Sequence, residues 1–302
     1  MIPTDTVFDP ETQPGDPLAP GEYEYVYEDR RIALAVRIAL ATGRPLFVIG
    51  QPGSGKSSLA GDVARRLRWA YVETVVTSRT RLSDLVAEVD LVRRLNDAQA
   101  QLLQDRKDSD YLVPGILWWA FDPDSARQAP LSGAERLVRP EYQRRGVVVL
   151  LDEIDKAEPD LPNDLLGPLG NAAVIDVPYH GLVKPGRPTL VIITSNRERE
   201  MPPAFLRRCL HLELEDPGAS FLERIATTRF GVRSDDLYAQ VAQRMVNLQS
   251  EAKRLSRRAP STAEFLDAVS ACIQLGERPW EGIWDAIEEA ALRKARPPRA
   301  HA

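Results

Sequence analysis

The residues best suited to chemistry form the segment GQPGSGKS, residues 50–57. Its glycines allow consecutive backbone N–H groups to curl around phosphate oxygens, where side chains would clash. A helix that begins at the end of the segment would point its free N–H groups and positive dipole end at the same anion. In the pattern G-x-x-x-x-G-K-[ST], the lysine reaches the β- and γ-phosphates and the hydroxyl ligates Mg²⁺. The pattern therefore predicts a nucleotide site made of Gln51, Pro52, Gly53, Ser54, Gly55, Lys56, Ser57 and Ser58.

A second candidate group is the acidic pair Asp152 and Glu153, which follows the apolar run 147–151. Such a run is typical of a buried parallel strand, and ligands of parallel sheets bind at the carboxyl ends of the strands. We expect Asp152 to share the Mg²⁺ with Ser57, and Glu153 to orient and deprotonate an attacking water. The alternative interpretation is a solvated acidic loop that also contains Asp155, and the phosphate loop upstream argues against it.

Apolar periodicity predicts the elements that must position these groups. Strands are expected at 45–50, 70–76, 147–151, 190–194 and 210–214, with a hairpin over 173–183, and helices at 29–42, 56–67, 82–103, 219–229, 235–250, 261–275 and 280–294. Strands that alternate with helices predict an α/β fold with a doubly wound parallel sheet. The predicted domains are an extended arm (1–27), an α/β core (28–216), a helical lid (217–296) and a flexible tail (297–302).

Two segments of the core are harder to interpret. Residues 122–145 are polar and aperiodic, which predicts a surface insertion. Trp118 and Trp119 would face opposite sides of a strand, so at most one of them could meet a partner, and burial in the core is the favoured role for both.

In this order and spacing the motifs resemble the AAA+ superfamily, and within it the MoxR-type ATPases. The segment 50–57 resembles the Walker A loop, and VVVLLDEIDKAEPDLPNDLL (147–166) resembles the Walker B segment with its following helix. The segment VIITSNRERE resembles the sensor 1 segment. The segment PPAFLRRC (202–209) resembles the segment that ends in the arginine finger, and YLVPGILWWAF (111–121) resembles the Pro-Gly stretch ahead of Walker B. The resemblance implies a P-loop NTPase with an all-α lid, with ATP and Mg²⁺ as cofactors.

Further roles follow from the resemblance alone. It makes Asn196 the sensor 1 residue, which helps to position the lytic water beside Glu153. It makes Arg208 the arginine finger, with Arg207 as the fallback. A finger acts across a subunit boundary. The resemblance therefore implies a ring, by analogy a hexamer, in which ATP hydrolysis remodels or activates an unidentified partner protein.

Two departures from the MoxR pattern keep other interpretations open. The segment that would begin the lid helix, Ala259–Ala263, lacks the sensor 2 arginine, so Arg257 or Arg258 would have to replace it; Arg258 is the candidate nucleotide contact. The segment Thr77–Leu82 lacks the aromatic residue of a pore loop, which argues against threading of a polypeptide. The alternatives are a nucleotide-gated scaffold with little turnover and a DNA-acting AAA+ motor.

Composition narrows these alternatives. The net charge of −5 argues against binding of nucleic acid. Cys209 and Cys272 show no metal-binding or redox spacing, which favours a reducing compartment. The sequence shows neither a signal peptide nor an apolar run long enough to span a membrane, so the expected location is the cytoplasm, without a membrane partner.

Overall fold

The structure, a computed structural model of the chain, describes residues 8–18, 23–133, 135–169, 173–255, 257–276 and 284–293. The chain forms two compact units. Unit 1 contains the described residues of Met1–Pro17, Asp29–Ile49 and Ser57–Glu213. Unit 2 contains those of Leu18–Glu28, Gly50–Lys56 and Leu214–Ala302.

The elements are numbered along the chain. The described strands are β1 (Leu46–Ile49), β2 (Ala70–Val75), β3 (Ala87–Val89), β4 (Leu112–Pro114), β5 (Val147–Asp152), β6 (Ile175–Val177), β7 (Gly181–Val183), β8 (Thr189–Ser195) and β9 (Leu210–Glu213). The described α-helices are α1 (Arg30–Thr42), α2 (Lys56–Leu67), α3 (Leu82–Val86), α4 (Leu91–Gln99), α5 (Ile116–Phe121), α6 (Pro123–Gln128), α7 (Leu161–Asp164), α8 (Pro203–Arg208), α9 (Ala219–Phe230), α10 (Leu237–Arg254), α11 (Thr262–Leu275) and α12 (Trp284–Ile287).

A five-stranded sheet in the order β2-β5-β8-β1-β9 forms the frame of unit 1. Every neighbouring pair in it is parallel. The first five residues of β5 are buried, and so are the last six of β8. Near-continuous apolar runs of this kind belong to strands that are covered on both faces. The predicted α/β class with a parallel sheet is therefore confirmed.

The C-terminal region in unit 2 is helical, as predicted. Its helices α9, α10 and α11 bury one apolar cluster that includes Leu222, Met245 and Phe265. A capping box begins α11, since Glu264 N donates to Ser261 Oγ and Ser261 N donates to Glu264 Oε2. Of the helix predicted at 280–294, the described part consists of α12 and a π-helical segment, Glu288–Arg293.

The single helix predicted over 82–103 is wrong. The segment contains α3, then β3, then α4. Strand β3 pairs antiparallel with β4, and Gly115 N donates to Val86 O at 2.9 Å. A Cβ on Gly115 would lie 2.5 Å from the backbone of Leu85, so only glycine allows this approach. Tertiary pairing therefore overrides the helical periodicity, and Val92 and Leu95, which lie on the apolar face of the predicted helix, are exposed.

Trp118 and Trp119 lie on helix α5 rather than on a strand. Both are buried, so the prediction of a core role is confirmed, while the argument from opposite strand faces is wrong. Trp118 Nε1 donates to Ser125 Oγ at 2.8 Å, and the ring of Trp118 packs beside the His180 ring. The predicted hairpin is also confirmed, since β6 and β7 pair antiparallel with His180 in the turn between them.

The segments at 122–145 and 8–17 have more structure than their compositions indicate. The predicted insertion contains α6, and Val138 forms a bridge with Tyr71 of β2. In the N-terminal arm, Phe8 is buried, and the guanidinium groups of Arg65 and Arg66 donate to four arm carbonyls. Both arginines also bind the buried carboxylate of Asp62. Helix α2 therefore fixes the described part of the arm in unit 1.

Candidate functional site

The loop between β1 and α2 has the backbone of an anion cradle. Gly53 and Gly55 have φ values of 76° and 88°, which side chains rarely adopt. A Cβ on Gly53 would lie 2.5 Å from the Cβ of Ser261, and one on Gly55 would lie 3.1 Å from the ring of Tyr25. Glycine is therefore favoured at both positions by the backbone conformation, and at Gly53 also by the close approach of Ser261.

Lys56 begins α2 and is buried within the loop. Its Nζ donates to the carbonyls of Gly50 and Gln51 at 3.0 and 2.9 Å. These bonds hold the ammonium group inside the turn, where it can neutralise a bound phosphate. Of the other predicted loop residues, Gln51, Pro52 and Ser58 are exposed and Ser54 is half-buried.

Two oxygen-containing side chains that suit a metal ion lie next to each other: Ser57 near the start of α2 and Asp152 at the end of β5. Ser57 Oγ donates toward both carboxylate oxygens of Asp152, at 3.0 and 2.9 Å. Hydroxyl and carboxylate oxygens are the ligands that Mg²⁺ prefers, together with waters and substrate phosphates. Within the described residues no group of three or more His, Cys, Asp or Glu could hold a metal. The Ser57 hydroxyl and the Asp152 carboxylate are oxygen groups of the kind that bind Mg²⁺ together with phosphates and water, so the pair fits this ion.

Glu153 follows β5 in a left-handed conformation with φ of 61°. Its Oε1 accepts a hydrogen bond from Asn196 Nδ2 at 3.1 Å, and its Oε2 pairs with Lys156 Nζ at 2.6 Å. This ion pair raises the pKa of Lys156 above its usual value, because the hydrogen bond to Glu153 favours the charged ammonium. A non-glycine residue with positive φ is uncommon and marks functional sites more often than others.

The structure thus brings Glu153 and Asn196 together, although 43 positions separate them. Parallel pairing of β5 with β8 explains the contact: Leu151 lies opposite Ile193, so the residues that follow both strands meet at one edge. A carboxylate beside an amide can hold a water between a proton acceptor and a hydrogen-bond donor.

Sequence reasoning missed two residues of this edge. Thr194 donates through Oγ1 to Asp152 Oδ1 and accepts from Glu153 N at 2.9 Å, so it holds the acidic pair in place. Asp155 is buried, and its Oδ2 accepts from the backbone N–H groups of Asn196 and Glu198. Polar residues at the end of an apolar strand could have indicated Thr194, whereas no pattern in the sequence distinguishes Asp155 from a solvated loop residue.

Arg207 and Arg208 end helix α8, immediately before β9, and both are exposed. Arg208 donates to Leu166 O at 2.6 Å. Within the described residues, no hydrogen bond or ion pair joins either arginine to Asp152 or Glu153. The two arginines therefore do not belong to the cluster around Glu153.

Near the start of α11, Arg258 forms an ion pair with Glu264 at 3.2 Å. Arg258 remains largely exposed, and so does Arg257. The residue that approaches the phosphate loop from this helix is Ser261, through the contact with Gly53. The structure thus puts a hydroxyl, rather than a guanidinium, against the loop.

A parallel sheet in which one strand runs into a glycine-rich loop and helix, while a neighbouring strand ends in Asp-Glu, is the arrangement of a P-loop NTPase. Comparison with known families narrows this class. The family described as AAA domain (dynein-related subfamily) matches residues 45–209, more than half of the chain. The chain belongs to this family, and hence to the AAA+ superfamily.

Among curated proteins, the chain resembles the aerobic cobaltochelatase subunit CobS of a Sinorhizobium species. The two are 28% identical over 148 residues, which is 49% of this chain and 35% of the relative. The chain thus matches about a third of the length of that relative. Among the described residues, no helix is long and apolar enough to cross a lipid bilayer.

Proposed function

We propose that the chain is a MoxR-like AAA+ ATPase that binds and hydrolyses MgATP to remodel or activate a partner protein. The observation that carries the proposal is the contact between Glu153 Oε1 and Asn196 Nδ2 at 3.1 Å, beside Asp152 and Ser57. A pair of this kind suits the activation of a water molecule, because it puts a proton acceptor beside a hydrogen-bond donor.

The proposed mechanism assigns a task to each group of residues. The amides of residues 50–57 and the Lys56 ammonium bind the triphosphate, and Ser57 and Asp152 hold Mg²⁺. When bound, Mg²⁺ neutralises negative charge on the phosphate oxygens. Glu153 accepts the proton of the attacking water, and Asn196 orients that water.

The sheet geometry supports a finger that acts between subunits. In a parallel sheet all strands point the same way, so Glu153, after β5, lies at the carboxyl edge. Helix α8 enters β9, and therefore lies at the amino edge. Across β5 the two edges are about 15–20 Å apart, at roughly 3.3 Å per residue. Arg207 and Arg208 are thus suited to the site of a neighbouring subunit, and a closed ring, such as a hexamer, supplies each site with one.

The resemblance to CobS supports the assignment of a partner protein. The name of that relative makes it one subunit of a cobaltochelatase. By analogy, the present chain would act as the ATPase subunit of a larger assembly, and its client would be a protein rather than nucleic acid, in line with the net charge of −5.

The decisive experiment is the substitution Glu153→Gln. We expect the variant to bind a fluorescent ATP analogue as the wild type does, while its ATP turnover falls about 10²- to 10⁴-fold, since a general base contributes that much. The control is Glu158→Gln, at an exposed glutamate five positions away, which should keep full activity. Normal turnover by the Glu153 variant would refute the proposal.

A nucleotide-gated scaffold with little turnover is the second candidate. It is favoured by the lid, where Arg258 is held by Glu264 and Ser261 lies against the loop in place of an arginine. Steady-state ATP hydrolysis by the assembled wild type separates the two. A turnover that stays at the background rate in every assembled state would favour the scaffold.

A further inference from the structure

Helix α8, which carries both finger candidates, is held at its end by a residue from another element. The last carbonyls of a helix have no partner within it and must be satisfied elsewhere. Arg44 Nη2 donates to the carbonyls of Arg207 and Cys209, at 2.6 and 2.9 Å, and Arg44 Nε donates to the carbonyl of Arg208 at 3.1 Å. One guanidinium group therefore binds three consecutive carbonyls at the end of α8.

The sheet order explains why these groups meet. Arg44 lies just before β1, and β1 pairs with β9, which follows α8; Leu210 N donates to Pro45 O at 2.8 Å. A guanidinium group has five N–H donors in a rigid plane and can bind several carbonyls at once, which an ammonium group on a flexible stem cannot do with the same geometry.

Other contacts fix the inner side of α8 and the tip of the Arg208 side chain, which donates to Leu166 O. The ring of Phe205 packs against Phe47 of β1 at 5.6 Å, and His211 Nε2 lies 2.9 Å from Leu206 O. The backbone that carries the finger candidates themselves, residues 207–209, is bound by Arg44. This backbone determines where the exposed side chains of Arg207 and Arg208 project.

We propose that Arg44 is a positioning residue for the arginine finger: by binding the carbonyls of residues 207–209, it sets the direction in which the finger leaves its subunit. The proposal rests on the proposed function, since it needs a finger that acts in trans. Arg44 touches neither nucleotide nor water in this scheme, and its effect appears at the active site of the neighbouring subunit.

The test is Arg44→Gln, which removes the charge and the planar set of donors. We expect ATP affinity to stay within about twofold of the wild type, while kcat falls about 10- to 100-fold, as for a catalytic group displaced by about 1 Å. Arg44→Lys keeps the charge without the planar geometry and should recover only part of the rate. Arg144→Gln, at an exposed arginine of the same unit, is the matched control and should be fully active.

Mixed assemblies distinguish positioning from simple damage to the subunit. Arg44→Gln subunits keep an intact nucleotide site, and Glu153→Gln subunits keep an intact finger. In a 1:1 mixture, half of the sites are competent and half of these face an intact finger, so roughly a quarter of the wild-type rate should return. A subunit damaged in its own fold or site would regain nothing from its neighbour.

The parallel mixture of Arg208→Ala, or Arg207→Ala, with Glu153→Gln separates this proposal from the one on which it rests. Recovery there without recovery for Arg44→Gln overturns the positioning role and leaves the trans finger intact. Failure of all three mixtures overturns the trans finger, and the role of Arg44 with it. Wild-type turnover by Arg44→Gln alone also overturns the positioning role.

Discussion

Replacement of Asp155 by alanine should both destabilise the protein and slow ATP turnover. Asp155 is buried, and its Oδ2 accepts from Asn196 N at 3.0 Å and from Glu198 N at 2.9 Å. These two bonds tie the loop after β8 to the turn after β5. Without them, the backbone of Asn196 loses the hydrogen bond to Asp155 that holds it beside Glu153.

The expected loss can be worked out from the bonds and their surroundings. A hydrogen bond to a charged group contributes about 1.5–3 kcal/mol, so two give roughly 3–6 kcal/mol. Two effects reduce this sum. Glu198 is exposed, so its freed N–H can bind water. Asp155 Oδ1 is buried without a hydrogen-bond partner among the described residues, so alanine also removes a cost of burying the carboxylate. We therefore expect the free energy of unfolding to fall by about 2–3 kcal/mol.

Urea denaturation of the apo protein measures this difference. Asp155→Asn keeps a carbonyl oxygen for both amides but loses the charge and puts an NH2 group at the buried position of Oδ1, so it should lose about half as much. Asp164→Ala, at an exposed position on α7, is the control and should stay within about 0.5 kcal/mol of the wild type. The kcat of Asp155→Ala should fall more than its ATP affinity, because Asn196 is displaced while the phosphate loop is untouched. An unfolding free energy within 0.5 kcal/mol of the wild type, on the order of the scatter for neutral surface changes, would refute the reasoning.

Three further outcomes are expected. Gly53→Ala should weaken ATP binding about tenfold or more, because strain of about 1–3 kcal/mol is added at a positive φ where the new Cβ meets Ser261. The control Gly43→Ala, at a φ of 65° with open space around it, should leave the ATP dissociation constant unchanged. Equal effects of the two substitutions in ATP titrations would contradict this. Ser261→Ala should lower the free energy of unfolding by about 1 kcal/mol through loss of a helix cap, and an unchanged urea midpoint would count against the capping role. Burial raises the pKa of the Cys209 thiol to about 12, so at about pH 8 the thiol of the native protein should resist alkylation until the protein is denatured. Prompt labelling of Cys209, detected by mass spectrometry, would show instead that the thiolate is accessible.

The features that sequence alone predicted well depend on neighbouring residues. Helix α2 begins and ends where periodicity placed it, because the glycine-rich turn fixes its start. The hairpin turn before Gly181 follows local rules and is present in the structure. The class of the fold followed from the same kind of signal, since buried parallel strands read as continuous apolar runs.

The errors arose where distant pairing competes with local preference. Leu82 to Leu103 has the spacing of one long helix, yet the pairing of β3 with β4 interrupts it. Trp118 and Trp119 were assigned to a strand because a short apolar run does not distinguish a buried strand from a buried helix. In both cases some of the apolar residues were correctly predicted to be buried. Whether they lie on a helix or a strand is set by segments that are distant in the sequence.

Contacts with a distant segment also distinguish Glu153 from Asp155. Both are carboxylates after β5, and in the sequence Glu153 differs from Asp155 in that it directly follows Asp152 at the end of the apolar run and in its resemblance to a Walker B segment. The structure turns Glu153 toward Asn196 through its left-handed backbone, and it buries Asp155 under the amides of the next strand's loop. In the proposed mechanism, the half-buried Glu153 accepts the proton of the water, and Asp155 fixes the backbone of Asn196, which orients that water. The backbone conformation thus gives two carboxylates of similar intrinsic reactivity different surroundings.

The order of the strands determines which residues lie together at each edge of the sheet. Because β5 and β8 are neighbours, the carboxyl edge collects Asp152, Glu153 and Asn196. Because β1 and β9 are neighbours, the amino edge collects Arg44 and the end of α8. A single subunit therefore presents the proposed water-activating carboxylate at one edge of its sheet and the candidate finger arginines at the other. If hydrolysis needs both, as proposed, one chain cannot complete its own site, and activity must depend on the concentration at which subunits associate.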